Sequence, residues 1–145
     1  MATSARLRIV FDPDPSPAAR NTVERGVDLH NVGVTNLPDY YPIAFLLKDR
    51  ADEVVGGLLG DLWGGWLHVS YVWVARPLRQ HGWARRLVRE AERYAVRRGA
   101  HDAYLETFSF QARPLYEKLG YQVFAQLDDF PPGHSKYFLR KKLTG

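Results

Sequence analysis

The spacing of apolar positions changes several times along the chain, and each change marks an element. An apolar run ending at Val74 passes through a short basic turn, after which Ala84, Leu87, Val88, Ala91, Tyr94 and Ala95 recur at the spacing of one helical face. This predicts a buried strand, a tight turn and an amphipathic helix that stops at Gly99. Nearer the start, residues 6–11 alternate as a short strand. Ser16-Pro17 then opens a helix with a hydroxyl N-cap and proline in the first position. Ala19, Val23, Val27 and His30 share one face of that helix, and Gly33 is its expected end. Residues 36–42, NLPDYYP, read as a loop. Residues 43–48 and 53–62 read as strands around a turn at 49–52, and Trp63-Gly64-Gly65-Trp66 turns the chain into a third strand, residues 67–74.

Residues 103–107 form the next expected strand. It lies parallel to 67–74, because a strand, a crossover helix and a strand form a right-handed unit. A short helix over residues 111–119 stops at Gly120, and residues 121–127 and 135–143 are two final strands joined by DDFPPGH. The order is strand, helix, three strands, helix, strand, helix, strand, strand. It specifies an α+β (mixed α/β) fold around one sheet, in a single domain over residues 1–145. A ligand is expected at the carboxyl ends of the two parallel strands.

Charge makes the central turn unusual. The first turn of a helix carries roughly half a positive charge and normally favours Asp or Glu. Here Arg76, Arg79, His81, Arg85 and Arg86 surround it, with Gly82 allowing close approach to the backbone. Cations at a positive helix end repel one another unless an anion sits among them, and a phosphate suits that place.

Composition narrows the function classes. With 46% apolar and 25% charged residues, the 145-residue chain is of ordinary globular type. It has no cysteine, which excludes disulfides, thiolate metal sites and cysteine nucleophiles; no metal is expected. No apolar run approaches the about 20 residues that span a bilayer, and the N-terminus lacks a signal-peptide core, so a cytoplasmic location without membrane contact is expected. The net charge of +4 and a pI near 9.5 admit nucleic acid. The basic residues, however, concentrate at the turn and helix and at Arg140, Lys141 and Lys142, and neither zinc-finger spacing nor an RNA-recognition signature is present, so nucleic acid is not the expected partner.

Arg79-Gln80-His81-Gly82-Trp83-Ala84 fits Gln/Arg-x-x-Gly-x-Gly/Ala. Between a strand and an amphipathic helix, it resembles the acyl-coenzyme A pyrophosphate loop of the GCN5-related N-acetyltransferase (GNAT) superfamily. A second segment, from Ser109 to Tyr121, is similar to that superfamily's Asn-x-x-Ala-x-x-Leu-Tyr-x-x-x-Gly-Phe: Ala112, Leu115, Tyr116 and Gly120 match, Tyr121 replaces phenylalanine, and Ser109 stands where asparagine is usual. The resemblance covers residues 43 to the end. It implies a mixed, mostly antiparallel sheet with helices on both faces and a splayed parallel strand pair.

The resemblance also implies roles. Acetyl-coenzyme A would be the cosubstrate, its pyrophosphate held by backbone NH groups of Gln80, His81, Gly82, Trp83 and Ala84 and by arginines such as Arg79, with Ser109 and Arg113 nearby. Its pantetheine arm would lie between the splayed strands, against Val72 and Val74. Tyr116 would be the general acid, since a phenol of pKa about 10 can protonate a departing thiolate; a tyrosine there could equally pack in the core beside Leu115 and Leu119. The base is open. Relatives often carry a carboxylate on the central strand, which here has none, and Glu106 and His68 are the candidates. Asp39, Tyr40, Tyr41, Trp63, Trp73, Asp128, Asp129, Phe130 and His134 are candidate acceptor-binding residues, carboxylates and rings that suit a cationic amine on a small molecule or a protein. Dimers are common among the proteins it resembles, so a homodimer is a compatible assembly. A non-catalytic acyl-coenzyme A sensor is the alternative that Ser109 and the missing carboxylate allow.

Overall fold

The computed structural model describes residues 6–38 and 40–144. They divide into a first unit ending at Asp39 and a second from Tyr40 onward. In the first, helix α1 (Pro17–Thr35) begins as expected: Pro17 takes the first position and the Ser16 hydroxyl accepts the Ala19 N–H at 3.1 Å. It runs past Gly33, which lowers helix propensity without removing any hydrogen bond. The end comes at Asn36, whose left-handed backbone (φ 56°) turns its N–H onto the Val32 carbonyl. Residues 7–12 have no regular structure, so the expected strand at 6–11 is absent. Alternation alone cannot make a strand without a ladder partner, and no ladder among the described residues includes this segment.

The second unit is built on a six-stranded sheet in the order β1-β2-β3-β4-β6-β5. Its strands are β1 (Tyr41–Lys48), β2 (Val54–Trp63), β3 (Trp66–Val74), β4 (Asp102–Phe108), β5 (Gln122–Asp128) and β6 (Ser135–Lys142). Only β3 and β4 run parallel. Helix α2 (Trp83–Arg97) makes their crossover, and the short α3 (Arg113–Lys118) follows β4.

Helix α2 packs on β3, β2 and β1 and buries Leu87, Val88, Ala91 and Ala95. Ala84 and Tyr94 of the expected face are partly buried. Glu92 lies on the same buried face, which the apolar spacing does not reveal. Its carboxylate accepts the Tyr121 hydroxyl at 2.8 Å and the Lys141 ammonium at 3.0 Å, tying the helix to β6. A buried charge is tolerable only with such partners.

One irregularity shapes the site. Leu59 pairs with Tyr71 but Gly60 with Val69, so Ser70 is an extra residue in β3. An inserted residue exchanges the faces of the residues beyond it. Leu67 and Val69 are buried before it; Val74 is buried after it, while Tyr71 and Trp73 are exposed. Gly60 makes this bulge possible, because a Cβ there would stand 2.3 Å from the His68 carbonyl oxygen. Gly60→Ala should therefore cost about 1–3 kcal/mol of stability in chemical denaturation, as overpacked sites do; an unaltered midpoint would show that the sheet absorbs the methyl freely.

Candidate functional site

The parallel pairing of β3 and β4 runs only from Trp66 and Asp102 to Val69 and Leu105. Beyond it β3 stays with β2 as far as Val74, and β4 stays with β6 as far as Phe108, so the two strands part. A cleft of about 380 Å³ fills the opening, with Val72 and Val74 on one side, Glu106 and Thr107 on the other, and Ala112 and Tyr116 also along it. Val74 and Arg79 also border a second cavity, of about 270 Å³, together with Gln80, Gly82, Trp83 and Ala84.

The turn at that end is constrained by its backbone. Residues Arg76–Leu78 form one 3-10 turn; Gln80 (φ 65°) and Gly82 (φ 83°) then take left-handed conformations, and Gly82 caps α2 without offering a side chain. The first helical bond runs from the Arg86 N–H to the Gly82 carbonyl at 3.1 Å. The N–H groups of Trp83, Ala84 and Arg85 therefore precede the intrahelical ladder. No acidic residue occupies this first turn. Arg79 donates from Nε to the Val74 carbonyl at 2.8 Å, pinning the turn to the strand end, and the His81 Nδ1–H donates to the Arg79 carbonyl at 2.8 Å. The Arg86 guanidinium lies 4.4 Å from the centre of the Trp83 ring. The start of α2, with Arg79 and Arg85, borders space that a Cβ on Gly82 would enter without meeting any atom within 4 Å. The donor set fits a diphosphate.

At the opposite end of the cleft stand the titratable groups. Tyr116 is buried, in edge contact with Tyr121, and desolvation raises its hydroxyl pKa above the ordinary 10. The Glu106 carboxylate lies 2.8 Å from His68 Nε2, and His68 Nδ1 lies 3.7 Å from the Asp61 carboxylate. The line from Asp61 through His68 to Glu106 crosses three neighbouring strands, β2, β3 and β4. His68 stacks on Tyr104 with ring centres 4.4 Å apart. Burial foremost, then the negative charges of Asp61 and Glu106, hold the Tyr104 hydroxyl above its ordinary range.

The structure thus gathers Val72, Trp73, Val74, Arg79, Gln80, Gly82, Trp83, Ala84, Glu106 and Tyr116 around two cavities that share Val74 and Arg79, with His68 bonded to the wall of the first. Tyr40 lines a separate cavity with Asp61 and His68. Other candidates lie elsewhere, engaged locally. The Ser109 hydroxyl accepts the Ser135 N–H at 3.0 Å and lies 3.4 Å from His134. Arg113 binds Glu117 at 2.9 Å and covers the Tyr137 ring. Asp129 accepts the Gly133 N–H at 3.1 Å, and Tyr41 sits under Arg98 beside Tyr94. Asp39 lies outside the described residues. Asp61 and Tyr104 join the site although the motifs do not single them out. A lone carboxylate in the otherwise uncharged strand VVGGLLGDLW is the signal for Asp61. Among the described residues no group of His, Asp or Glu is placed to hold a metal ion, and no helix is long and apolar enough to cross a membrane.

Comparison with known proteins agrees with this geometry. Residues 11–121 match the model of the acetyltransferase (GNAT) family. The chain is 38% identical over 92 residues to blasticidin-S acetyltransferase of Streptomyces morookaense, covering 63% of this chain and 68% of that one. It is 32% identical over 136 residues to acetyltransferase Atu2258 of Agrobacterium fabrum, covering 94% and 99%. A crystal structure of an acetyltransferase from Bacillus cereus superposes with a TM-score of 0.79 at 25% identity, over 92% of this chain and 97% of that one. The split strands, the open helix end beneath them and these matches lead to one assignment: the chain belongs to the GNAT acetyltransferase family, an enzyme whose cosubstrate is acetyl-coenzyme A.

Proposed function

We propose that the protein acetylates a primary amine by direct attack of the amine nitrogen on the thioester, with Glu106 as proton acceptor and Tyr116 as proton donor. Acetyl-coenzyme A, when bound, supplies the activated acetyl group. The backbone N–H groups at the start of α2, with Arg79 beside them, would hold its diphosphate, and the walls contributed by Val72 and Val74 would hold its pantetheine arm. The observation that carries the reading is the position of Glu106: it lines the donor cleft and also bonds His68, which lines the next cavity. An amine entering from that side meets a carboxylate at the parting of the strands.

An amine must be neutral to attack, so its proton needs an acceptor. Glu106 is in place to take it, and His68, 2.8 Å away, orients the carboxylate. Holding both reactants in one cleft supplies much of the acceleration. Tyr116 stays protonated at every ordinary pH, since burial raises its pKa, and so remains able to donate to the departing sulfur. The small-molecule name of the Streptomyces relative supports an acceptor of that size.

Replacing Tyr116 by Phe should lower kcat by about ten- to a thousand-fold with little change in acetyl-coenzyme A binding. An unaltered kcat would remove Tyr116 from the role. The function as a whole is tested by assaying thiol release against a panel of amines: turnover with at least one amine is expected, whereas tight acetyl-coenzyme A binding with no release for any amine would favour a sensor.

A further inference from the structure

On the far side of the Glu106–His68 pair, a cavity of about 420 Å³ is lined by Tyr40, Asp61, Trp63, Trp66, His68 and Tyr104. We propose that it is a subsite for a second cationic group of the acceptor, an ammonium or guanidinium carried on the same molecule as the amine to be acetylated. The proposal rests on the amine-acetylation reading and names the class of amine.

Charge is the first argument. Asp61 contributes a carboxylate to the lining, the Glu106 carboxylate stands behind His68 in the adjoining cleft, and no lysine or arginine is among the described residues that line the cavity. Tyr104 is held neutral, chiefly by its burial and further by those two carboxylates, so it adds a ring without adding charge. An anionic acceptor would be repelled by the carboxylates beside this surface.

Ring geometry is the second. Tyr40 and Trp63 stack with centres 5.3 Å apart and planes 19° apart, His68 and Tyr104 form a second stacked pair, and Trp66 meets Tyr104 edge-on at 5.9 Å. Aromatic faces beside a carboxylate attract cations, and guanidinium best of all because it also stacks. A cation already rests against this ring set from outside the lining: the Arg140 guanidinium lies 6.0 Å from the Trp66 ring centre.

The sheet sets the distance. Asp61 pairs with His68 across β2 and β3, and Glu106 stands on β4, so the two carboxylates are two strands apart. The His68 ring spans the gap between them, 3.7 Å from the Asp61 carboxylate and 2.8 Å from that of Glu106. An acceptor with its reactive amine at Glu106 would place a second cation at Asp61 if a short flexible chain separates them.

The probes are agmatine, which carries an amine and a guanidinium on one chain, and pentylamine, which carries the amine alone. Binding to the full chain is followed by tryptophan fluorescence or calorimetry. Agmatine should bind at least about ten-fold more tightly than pentylamine. Asp61→Asn should erase the difference and Asp61→Glu should restore part of it, with thermal unfolding confirming that both variants fold. Equal affinity for the two probes, or a preference that survives Asp61→Asn, would overturn the proposal. Thiol release is measured separately. Turnover of both probes without any binding preference would defeat the subsite and leave amine acetylation standing. A preference lost in Asp61→Asn, with no thiol release for any amine, would uphold the cation site and defeat the acetylation reading.

Discussion

Glu106→Gln should lower kcat by about 100- to 10,000-fold while leaving acetyl-coenzyme A affinity nearly unchanged. Gln keeps the volume and the hydrogen-bonding reach of the side chain but cannot take a proton. The bond to His68 at 2.8 Å can persist through the amide oxygen, so the cleft wall should hold its shape. The loss should therefore fall on the chemical step. If Glu106 is the acceptor, an amine supplied at a pH high enough to be mostly neutral should recover part of the rate. An equal loss in kcat and in cofactor affinity would make Glu106 a structural group instead. His68→Gln should give a smaller loss in kcat than Glu106→Gln, because His68 would act only through the carboxylate it bonds.

The second large effect is expected at the turn. Gly82→Asp should weaken acetyl-coenzyme A binding by about 100-fold or more relative to Gly82→Asn, since a unit charge about 4 Å from an anion at a protein surface is worth several kcal/mol. The pair isolates charge. Asp and Asn are alike in size and both tolerate the left-handed backbone that Gly82 adopts at φ 83°. Neither meets a clash at Cβ, because nothing lies within 4 Å of that position. Gly82→Asn itself should also weaken binding, because its side chain enters the space offered to the diphosphate, so the charge is read from the difference between the two variants. Equal affinities for the two variants would mean that no anion sits in front of this helix end.

The parts of this architecture that are legible in the sequence are those in which a local pattern and the tertiary structure agree. The face of α2 is written in its apolar spacing, and the proposed anion site in a charge misfit: arginines where a helix start normally carries acid. Ser16-Pro17 marks the start of α1 for the same reason, a side-chain oxygen meeting an exposed N–H. The features that stay hidden depend on contacts between strands. The bulge at Ser70 depends on the Gly60 backbone lying against the His68 carbonyl, and the parting of β3 and β4 on each strand keeping its antiparallel neighbour. Neither is a property of a single segment. Residues 6–11 alternate correctly yet form no strand, because pairing needs a partner that the pattern cannot supply. Asp61 becomes part of the site only through its register with His68. Ser109 and Arg113 fit a motif but are held by Ser135 and Glu117, since a polar side chain bonds the nearest group its surroundings present.

The central claim is transfer of the acetyl group straight from thioester to amine, and product stoichiometry tests it most directly. Enzyme, acetyl-coenzyme A and an accepted amine are mixed, and free thiol, N-acetylated product and the intact mass of the enzyme are followed together. Direct transfer gives one N-acetylated amine for each thiol released, with the enzyme mass unchanged throughout. Thiol released without acetylated amine, or an acetylated enzyme that transfers its group to the amine afterwards, would contradict it.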